Sequence, residues 1–308
     1  MLHKSVLLEE SIDNLNISEN GIYVDATIGY GGHSKEILKK IDKGFLYGFD
    51  QDDYAVEYSN KFLKDYGDNF LIIKNNFSNM KKELNKRDIY KVDGILYDLG
   101  VSSVQLDDGD RGFSFHKDAK LDMRMDTSKT FSAYDLVNTY DYNNIVRVLR
   151  DYGEEKYANS IAKNIIKYRT TKPIETTLEL VDIIKSSMPM KAMRESHPAR
   201  RTFQAIRIEV NNELGVLETS LEDAIELLKV GGRLCVITFQ SLEDKIVKNI
   251  FKKYSEIDNN IKKLPYIPNE YLPKLKIITK GITASKKELE NNYRAHSARL
   301  RVVEKIKD

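Results

Sequence analysis

The feature that most constrains the fold of this chain is an alternation of short apolar strands with amphipathic helical stretches. The strand candidates are residues 22–26, 45–49, 70–74, 94–98, 233–239, 275–280 and 298–303. Strands that alternate with helices pair in parallel through right-handed crossovers, and the helices then cover both faces of the sheet. The sequence therefore predicts an α/β fold with a Rossmann-like, doubly wound and mostly parallel sheet. Ahead of the fifth strand, residues 214–228 have a helical pattern, which Gly231 and Gly232 are expected to end.

The strand pattern stops after the fourth candidate and returns only towards the C-terminus. The helix candidates in between are residues 141–149, 154–168 and 176–187. Ser132 and Thr176 are suitable N-cap residues for helices in this region. An all-helical block inside an α/β chain is best explained as an inserted subdomain. We therefore predict one domain formed by residues 1–130 and 202–308, and a helical insert at residues 131–201.

Composition narrows the class of protein. The chain has 308 residues, of which 41% are hydrophobic and 31% charged, and a formal net charge of +2, all ordinary for a soluble globular protein. No apolar run approaches the roughly 20 residues of a membrane span, and the N-terminus lacks the pattern of a signal peptide. A cytoplasmic location is therefore expected. Cys235 is the single cysteine, which excludes cysteine-rich zinc sites, and its strand context predicts a packed side chain.

The end of the first strand has the composition of a ligand-binding turn. Asp25 is followed by a glycine-rich stretch, residues 29–32, and then by a helical pattern. Closely spaced glycines let the backbone approach a ligand, and a helix N-terminus favours anionic or hydrogen-bonding groups. Asp50 ends the second strand, where an acid holds the two ribose hydroxyls of a nucleoside cofactor. The ordered pair of a glycine turn and an acid therefore predicts a nucleoside cofactor.

Two classes of cofactor share this architecture. A dinucleotide site expects the spacing Gly-x-Gly-x-x-Gly, which is tuned to a pyrophosphate. Here the spacing is Gly29-x-Gly31-Gly32, and the preceding Asp25 suits the amino group of S-adenosylmethionine (SAM), which has no phosphate. After the third strand, Phe77 would supply an apolar wall for adenine. SAM is therefore favoured over NAD.

The fourth strand leads into a long irregular segment, and together they run from Asp93 to Asp126. The segment keeps neither the apolar period of a strand nor that of a helix, and it contains acids, arginines, glycines and two phenylalanines. Long irregular segments are uncommon in compact domains unless they form lids or binding loops, and ligands of open α/β sheets bind at strand ends. A mobile surface loop is the alternative, but the segment is too apolar for one. We interpret it as part of the functional site.

A set of longer motifs lies in order along nearly the whole chain: residues 3–10, 25–34, 93–126, 152–155, 197–208, 211–214, 241–244 and 294–301. Together they resemble a known family, the bacterial cytosine-N4 methyltransferases of 16S ribosomal RNA, of the MraW or RsmH type. The resemblance implies a class I SAM-dependent methyltransferase fold with an inserted helical subdomain that recognises RNA. It also implies N4-methylation of a specific cytosine in the decoding region of 16S ribosomal RNA. The partner would be that RNA, free or within the small ribosomal subunit, and the enzyme a monomer or homodimer.

The resemblance implies cofactor residues at the matching positions: Gly31, Gly32, His33, Asp50, Phe77, Asp98 and Gln105. Two positions depart from the family pattern. Gln240 stands where the family usually has histidine, and Lys120 replaces a usual proline. The identity of the general base therefore stays open at this point.

Methylation of an exocyclic amine requires acceptors that orient and polarise its N–H bonds next to the methyl donor. Cytosine N4 is a poor nucleophile because its lone pair is delocalised into the ring. Asp98, at the tip of the fourth strand, is the candidate catalytic acceptor, with cofactor positioning or loop capping as the alternative. Gln105 can hydrogen-bond either the cofactor or the edge of the base.

Access to a stacked base costs free energy, which aromatic side chains and arginines offset through stacking and phosphate contacts. The candidates for RNA contact are Arg111, Phe113, Phe115, Arg124, Arg200, Arg201, Arg207, Tyr293 and Arg294. Each has a structural alternative. Phe113 and Phe115 can belong to a core beneath the segment, and Arg124 can pair with Asp122 or Asp126.

Neither the histidines nor the acids predict a metal site. The five histidines lie far apart in sequence, without the helical spacing of a zinc site. A solvated turn explains the acids at Asp107, Asp108, Asp110 and Asp118, so no metal is expected. Three rival functions use the same features: SAM-dependent methylation of tRNA, DNA or protein, NAD-dependent oxidoreduction, and RNA binding without catalysis.

Overall fold

The computed structural model describes residues 4–101, 105, 109–193 and 197–308. The chain forms two compact units. The first unit combines Met1–Gly100 with Leu214–Asp308, and the second is Val101–Glu213.

Within the described residues, the first unit is centred on one seven-stranded sheet: β1 (Ile22–Asp25), β2 (Phe45–Asp50), β3 (Phe70–Lys74), β4 (Val92–Asp98), β5 (Leu228–Thr238), β6 (Leu275–Ile282) and β7 (Arg299–Lys305). The strand order is β3-β2-β1-β4-β5-β7-β6. The first five strands pair in parallel, and β7 is antiparallel to both of its neighbours. The prediction of a mostly parallel, doubly wound α/β sheet is confirmed, and every strand candidate overlaps an observed strand.

In chain order the helices are α1 (Leu8–Leu15), α2 (Gly32–Leu38), α3 (Asp53–Leu63), α4 (Met80–Asn85), α5 (Ala133–Thr139), α6 (Tyr142–Asp151), α7 (Ala158–Arg169), α8 (Thr177–Ser186), α9 (Met190–Met193), α10 (Arg200–Asn211), α11 (Glu213–Leu227), α12 (Ser241–Ser255) and α13 (Lys286–Asn291). Helices α1–α4 and α12–α13 lie in the first unit, together with all but the first residue of α11. Helices α5–α10 belong to the second.

The sheet is buried on both faces because alternate residues of each strand point to opposite sides. On one face Tyr97 of β4 packs in a cluster with Leu221 of α11. On the other, Leu96 and Cys235 pack in a cluster with Ile37 of α2. Burial also raises the pKa of the Cys235 thiol to about 12, as expected of a packed and unreactive side chain. The two cores hold the strand tips in fixed positions.

The predicted helix stop at Gly231 and Gly232 is wrong. Helix α11 ends at Leu227, and both glycines lie inside β5. Pairing with β4 begins at Leu228, opposite Val92, and a shift of register follows before regular pairing resumes. Gly231 has a φ of +86°, which only glycine adopts at little cost, so it serves an irregularity of the strand rather than a helix end.

The second unit is a packed group of helices with its own apolar core. Ile161, Ile184 and Phe203, from α7, α8 and α10, are buried together in it. Ser132 and Thr176 each form a capping box at the start of a helix, at α5 and α8, as their sequence positions indicated. Helix α7 ends at Arg169, ahead of Pro173, and so covers the candidate helix 154–168 except for its first four residues.

The bounds of the second unit are wider than the predicted insert of residues 131–201. The unit begins at Val101, because part of the irregular segment packs into its core through Leu121 and Met123. It extends to Glu213 because α10 continues unbroken to Asn211. Side-chain packing of the irregular segment therefore sets the first boundary, and the length of α10 sets the second.

Nowhere in the described part of the chain does a helix combine the length and the apolar composition that crossing a membrane requires.

Candidate functional site

Three aspartates end neighbouring strands of the first unit. Asp25 ends β1, Asp50 ends β2 and Asp98 ends β4. These strands are adjacent and parallel in the order β2-β1-β4, so their carboxyl ends meet at one edge of the sheet. Ligands of open α/β sheets bind at such an edge. We call this group of three residues the carboxylate edge.

The glycine turn, residues 29–32, connects β1 to α2 beside this edge. Gly29 and Gly31 have φ values of +49° and +74°, which glycine adopts without penalty. A Cβ on Gly29 would meet nothing closer than 3.9 Å, so its backbone face is open to a ligand. Gly31 and Gly32, predicted to contact the cofactor, also have structural roles, because a Cβ there would press on Leu63 and on Ser5.

Asp25 and Asp50 are held at the carboxylate edge by hydrogen bonds. Asp25 accepts from the Ser34 hydroxyl at 2.7 Å and from the backbone N–H of Thr27 at 3.2 Å. Asp50 accepts from the backbone N–H of Gly29 at 3.1 Å, which ties the tip of β2 to the glycine turn. Burial raises the pKa of both carboxyls to about 6, although these hydrogen bonds oppose the shift. Both side chains remain acceptors that suit hydroxyl or cationic groups of a ligand.

Asp98 differs from the other two because half of its carboxyl group has no partner. Its Oδ1 is buried and makes no hydrogen bond to any residue that the structure describes. Its Oδ2 lies 3.8 Å from Nδ1 of His33. Burial, reinforced by the nearby charges of Asp25 and Glu243, raises the pKa of Asp98 to about 8. A buried acceptor without a donor is costly, so this oxygen is suited to a donor or cation of a ligand.

Phe77 and Gln105 complete the predicted cofactor set. Phe77 lies in a short 3₁₀ helix, Phe77–Asn79, after β3, and its ring contacts that of Tyr97 edge-on at 5.5 Å. It therefore forms a fixed, partly buried apolar wall in the first unit. Gln105 is buried but belongs to the second unit. The structure thus groups Gly31, Gly32, His33, Asp50, Phe77 and Asp98 in one unit and places Gln105 in the other.

Gln240 and Glu243 lie just beyond the end of β5, Gln240 as the N-cap residue of α12 and Glu243 in its first turn. The Gln240 amide donates to Glu243 at 2.8 Å, and Glu243 also accepts from the backbone N–H of Phe239 at 2.9 Å. Oε1 of Gln240 is buried and unpaired among the described atoms. An amide oxygen is a far weaker base than a carboxylate, so Asp98 is the stronger candidate to accept a proton. Sequence reasoning missed Glu243, although its position three residues after a helix cap was a signal.

Two of the candidates for RNA contact lie in the first unit, on a 3₁₀ helix, Tyr293–Ser297. Tyr293 is 83% exposed, and its ring lies 5.1 Å from that of His296. A ring this accessible can stack on a base. Arg294 is half-buried.

Three candidates in the second unit have structural roles there. Phe113 is 5% exposed and belongs to the core, which is its predicted alternative. Arg124 pairs with Asp122 through two nitrogens at 2.7 and 2.6 Å, again its alternative. Arg207 forms the same kind of fork with Glu213 at 2.7 and 2.8 Å. These contacts account for the three side chains without RNA.

The remaining candidates of the second unit differ in accessibility. Arg111 is partly buried and donates to two backbone carbonyls, those of residues 124 and 125. Phe115 stacks on His197 with ring centroids 4.3 Å apart. Arg200 and Arg201, at the start of α10, are exposed and so accessible to phosphate.

No group of three or more histidine, cysteine, aspartate or glutamate side chains is placed to hold a metal ion in the described ranges. Two of the four acids considered in the sequence analysis, Asp107 and Asp108, lie outside those ranges.

Comparisons with known proteins give one family. A family model described as the MraW methylase family matches residues 1–306. The ribosomal RNA small subunit methyltransferase H of Exiguobacterium sibiricum is 54% identical over 308 residues, covering 99% of each chain. Proteins of the same name from Lactobacillus delbrueckii subsp. bulgaricus and Clostridioides difficile are 55% and 53% identical, also over 99% of each chain. Among solved structures, an rRNA methylase from Streptococcus thermophilus has a TM-score of 0.46 and 12% identity, covering 100% of this chain and 99% of that one.

Proposed function

This chain belongs to the MraW methylase family, and from that premise we propose that it methylates N4 of a specific cytosine in the decoding region of 16S ribosomal RNA. As a member it is a SAM-dependent methyltransferase. The name shared by the relatives, ribosomal RNA small subunit methyltransferase H, supports the small-subunit RNA as substrate. The choice of a cytosine N4 rests on the resemblance of the motifs and on the chemistry of the site.

The residues of the first unit fit SAM. Asp50, at the tip of β2 and bonded to the glycine turn, is placed to accept from ribose hydroxyls, and Phe77 to pack on adenine. The open backbone face of Gly29 leaves room for close approach. Asp25 and Asp98 supply carboxylates for the cationic end. When bound, SAM supplies the methyl group: its S–CH₃ bond breaks as the N4–CH₃ bond forms, and the sulfur keeps the electron pair.

The observation that most supports an amine substrate is the unpaired oxygen of Asp98. As N4 gains the methyl group it must lose a proton, and a carboxylate at that point accepts it and becomes a carboxylic acid. Burial makes Asp98 a stronger base than an exposed aspartate, because it penalises the charged form. Before the transfer, the same oxygen accepts a hydrogen bond from the amine and orients its lone pair.

On the substrate side, we propose RNA contacts at the exposed candidates. Arg200 and Arg201 are accessible to phosphate, and Tyr293 is accessible to a base. The helices of residues 131–201 would recognise the RNA. Arg111, Phe115 and Arg294 stay predictions, whereas Phe113, Arg124 and Arg207 are better explained by their packing and ion pairs.

Nucleoside mass spectrometry tests the assignment. Small-subunit RNA from cells without this gene should lack N4-methylcytidine at one position, and the gene should restore it. Purified protein with labelled SAM should transfer label to 16S ribosomal RNA, as free RNA or as assembled subunits, and not to tRNA or DNA. Label in tRNA, DNA or protein with none in ribosomal RNA would overturn the substrate. The variant Asp98→Ala should bind RNA but transfer no methyl group, and full activity in it would remove the proposed proton acceptor.

A further inference from the structure

An N-terminal strap, defined here as residues 4–7, lies against the start of α2. Val6 and Leu7 are buried in the core on the α2 side of the sheet. The strap approaches Gly32 so closely that a Cβ there would lie 1.9 Å from the Ser5 hydroxyl. The missing side chain of Gly32 therefore allows the strap to lie directly on the glycine turn.

The strap determines which nitrogen of His33 faces the carboxylate edge. The backbone carbonyl of Val6 accepts a hydrogen bond from Nε2 of His33 at 3.1 Å. Because a carbonyl oxygen only accepts, Nε2 holds the proton, and in the neutral ring Nδ1 is the basic atom. Nδ1 is the atom 3.8 Å from Oδ2 of Asp98.

The strap itself is held from the other end of the chain. Leu7 has a left-handed backbone, with a φ of +51°, which is unfavourable for a branched apolar residue. Its buried N–H donates to Oε1 of Glu288, on α13, at 2.8 Å and 281 positions away. Nearby, the Asn292 amide donates to the carbonyl of Lys4 at 3.2 Å. Without Glu288, the Leu7 N–H would be buried without this acceptor and the strained turn would lose a hydrogen bond that holds it.

We propose that Glu288 is a positioning residue for methyl transfer, acting through the strap on the tautomer of His33 and so on Asp98. The inference rests on the proposed function, in which Asp98 accepts the amine proton. The side chain of Glu288 is not needed as the cap of its own helix, α13. The Ser285 hydroxyl caps this helix and accepts a hydrogen bond from the backbone N–H of Glu288 at 3.2 Å.

The tautomer matters because it changes the basicity of the carboxylate. With the proton on Nε2, the His33 ring offers Asp98 a lone pair and does not stabilise its charge. A ring released from Val6 can place an N–H on Nδ1, which would donate to the carboxylate, lower its pKa and weaken it as a base. The other charges near Asp98, on Asp25 and Glu243, are unchanged by such a release.

The test compares Glu288→Ala, Glu288→Gln and Glu290→Ala in the full chain. Glu290 is an exposed acid of the same helix and serves as the matched control. Imidazole ¹⁵N NMR, with His33→Asn for assignment, reports the tautomer, and methyl transfer is measured from pH 6 to 9.5. In Glu288→Ala we expect a mixture of His33 tautomers and a kcat about 10- to 100-fold lower. The pH limb, the part of the pH–rate profile that rises with pH, should move to lower pH. The KM for SAM should change by less than about threefold, since only the proton acceptor is affected.

Glu288→Gln should restore all three readouts because its amide oxygen accepts the same hydrogen bond, and Glu290→Ala should match the wild type. An unchanged tautomer and pH limb in folded Glu288→Ala would overturn the inference and leave the proposed function intact. If that variant does not fold, Glu288→Asp, whose shorter side chain reaches less far, must give the same shifts in smaller degree. A wild type without ribosomal RNA activity would refute the proposed function, while the NMR result would still decide the link from Glu288 to His33.

Discussion

At Asp98, the arrangement that serves the proposed function also costs the fold stability. Its Oδ1 is buried and has no hydrogen-bond partner among the described residues, an arrangement that a fold selected for stability alone would avoid. Its folded-state pKa, about 8, lies above that of the unfolded chain, so the folded protein retains a proton that the unfolded one releases. The free energy of unfolding therefore contains a contribution from this group that is complete below pH 4 and is lost as pH rises through about 8.

The variant Asp98→Asn should abolish methyl transfer and stabilise the fold at high pH. The amide keeps the shape of the side chain and removes the buried charge, so at pH 9 we expect a gain of about 1–3 kcal/mol. At pH 6 the gain should shrink, because wild-type Asp98 is then protonated. Thermal and urea unfolding at both pH values measure the change, with the exposed Asp65→Asn as control. A variant less stable than wild type at pH 9 would contradict this account of Asp98.

Methyl transfer should rise with pH as Asp98 ionises. At low SAM concentration the rate depends on the protonation state of the free enzyme. The rising limb of the pH–rate profile should then level off above about pH 8. At saturating SAM the rising limb should lie at lower pH, because the positive charge of the sulfonium stabilises the ionised carboxylate and lowers its pKa. Initial rates of label transfer across the pH range give both limbs. Flat profiles between pH 6 and 9 would exclude Asp98 as the proton acceptor.

At the scale of elements, one asparagine of α10 joins this helix to the part of the irregular segment around Met123 and Met125. Asn211 accepts from the backbone N–H of Met125 at 2.8 Å and donates to the carbonyl of Met123 at 2.8 Å. The segment has no regular pairing of its own in this part, so these bonds replace a strand ladder. This explains how an aperiodic sequence becomes an ordered part of the second unit.

Asn211→Ala should destabilise the second unit by about 2–4 kcal/mol, since it removes two buried hydrogen bonds, one to the N–H of Met125 and one to the carbonyl of Met123. Hydrogen exchange measured by mass spectrometry should increase in the segment containing Met123 and Met125. The exposed Asn144→Ala, in the same unit, should change stability by less than about 0.5 kcal/mol. Exchange that stays slow in Asn211→Ala would show that packing alone holds the segment.

At the scale of the whole molecule, basic and acidic side chains nearly balance, but acidic side chains are concentrated at the carboxylate edge. The net charge is only +2, while the carboxylate edge brings together three acids, of which Asp25 is buried and Asp50 and Asp98 are half-buried. Burial raises the pKa of all three, to about 6 for Asp25 and Asp50 and about 8 for Asp98, so near neutral pH Asp98 holds a proton that a cationic ligand would displace. Binding of a cation should therefore be linked to pH.

The affinity for SAM should increase between pH 6 and 8, by roughly three- to tenfold for one linked proton. S-adenosylhomocysteine, which lacks the sulfonium charge, should show a smaller increase and serves as the matched control. Calorimetric titrations of both ligands in buffers of different ionisation enthalpy measure the affinities and the protons released. Equal pH dependence for the two ligands would show that the carboxylate edge does not sense the sulfonium.

The sequence by itself determined the sheet and the family. Strands, caps and the glycine turn are local patterns: apolar period, an acid at a strand tip, Ser132 or Thr176 before a helix. Such patterns are recognised without knowledge of distant contacts. For the same reason Asp25, Asp50 and Asp98 could each be placed at a strand end, where ligands of open α/β sheets bind.

Only the tertiary structure decided what each side chain contacts. The pairing of Arg124 with Asp122, the burial of Phe113 and the unpaired oxygen of Asp98 depend on which groups surround them in space. The hydrogen bond between Leu7 and Glu288 joins positions 281 residues apart, and no periodicity of the chain records it. Local sequence fixes backbone preference and the side to be buried, whereas desolvation and hydrogen bonding are set by neighbours that the fold brings together.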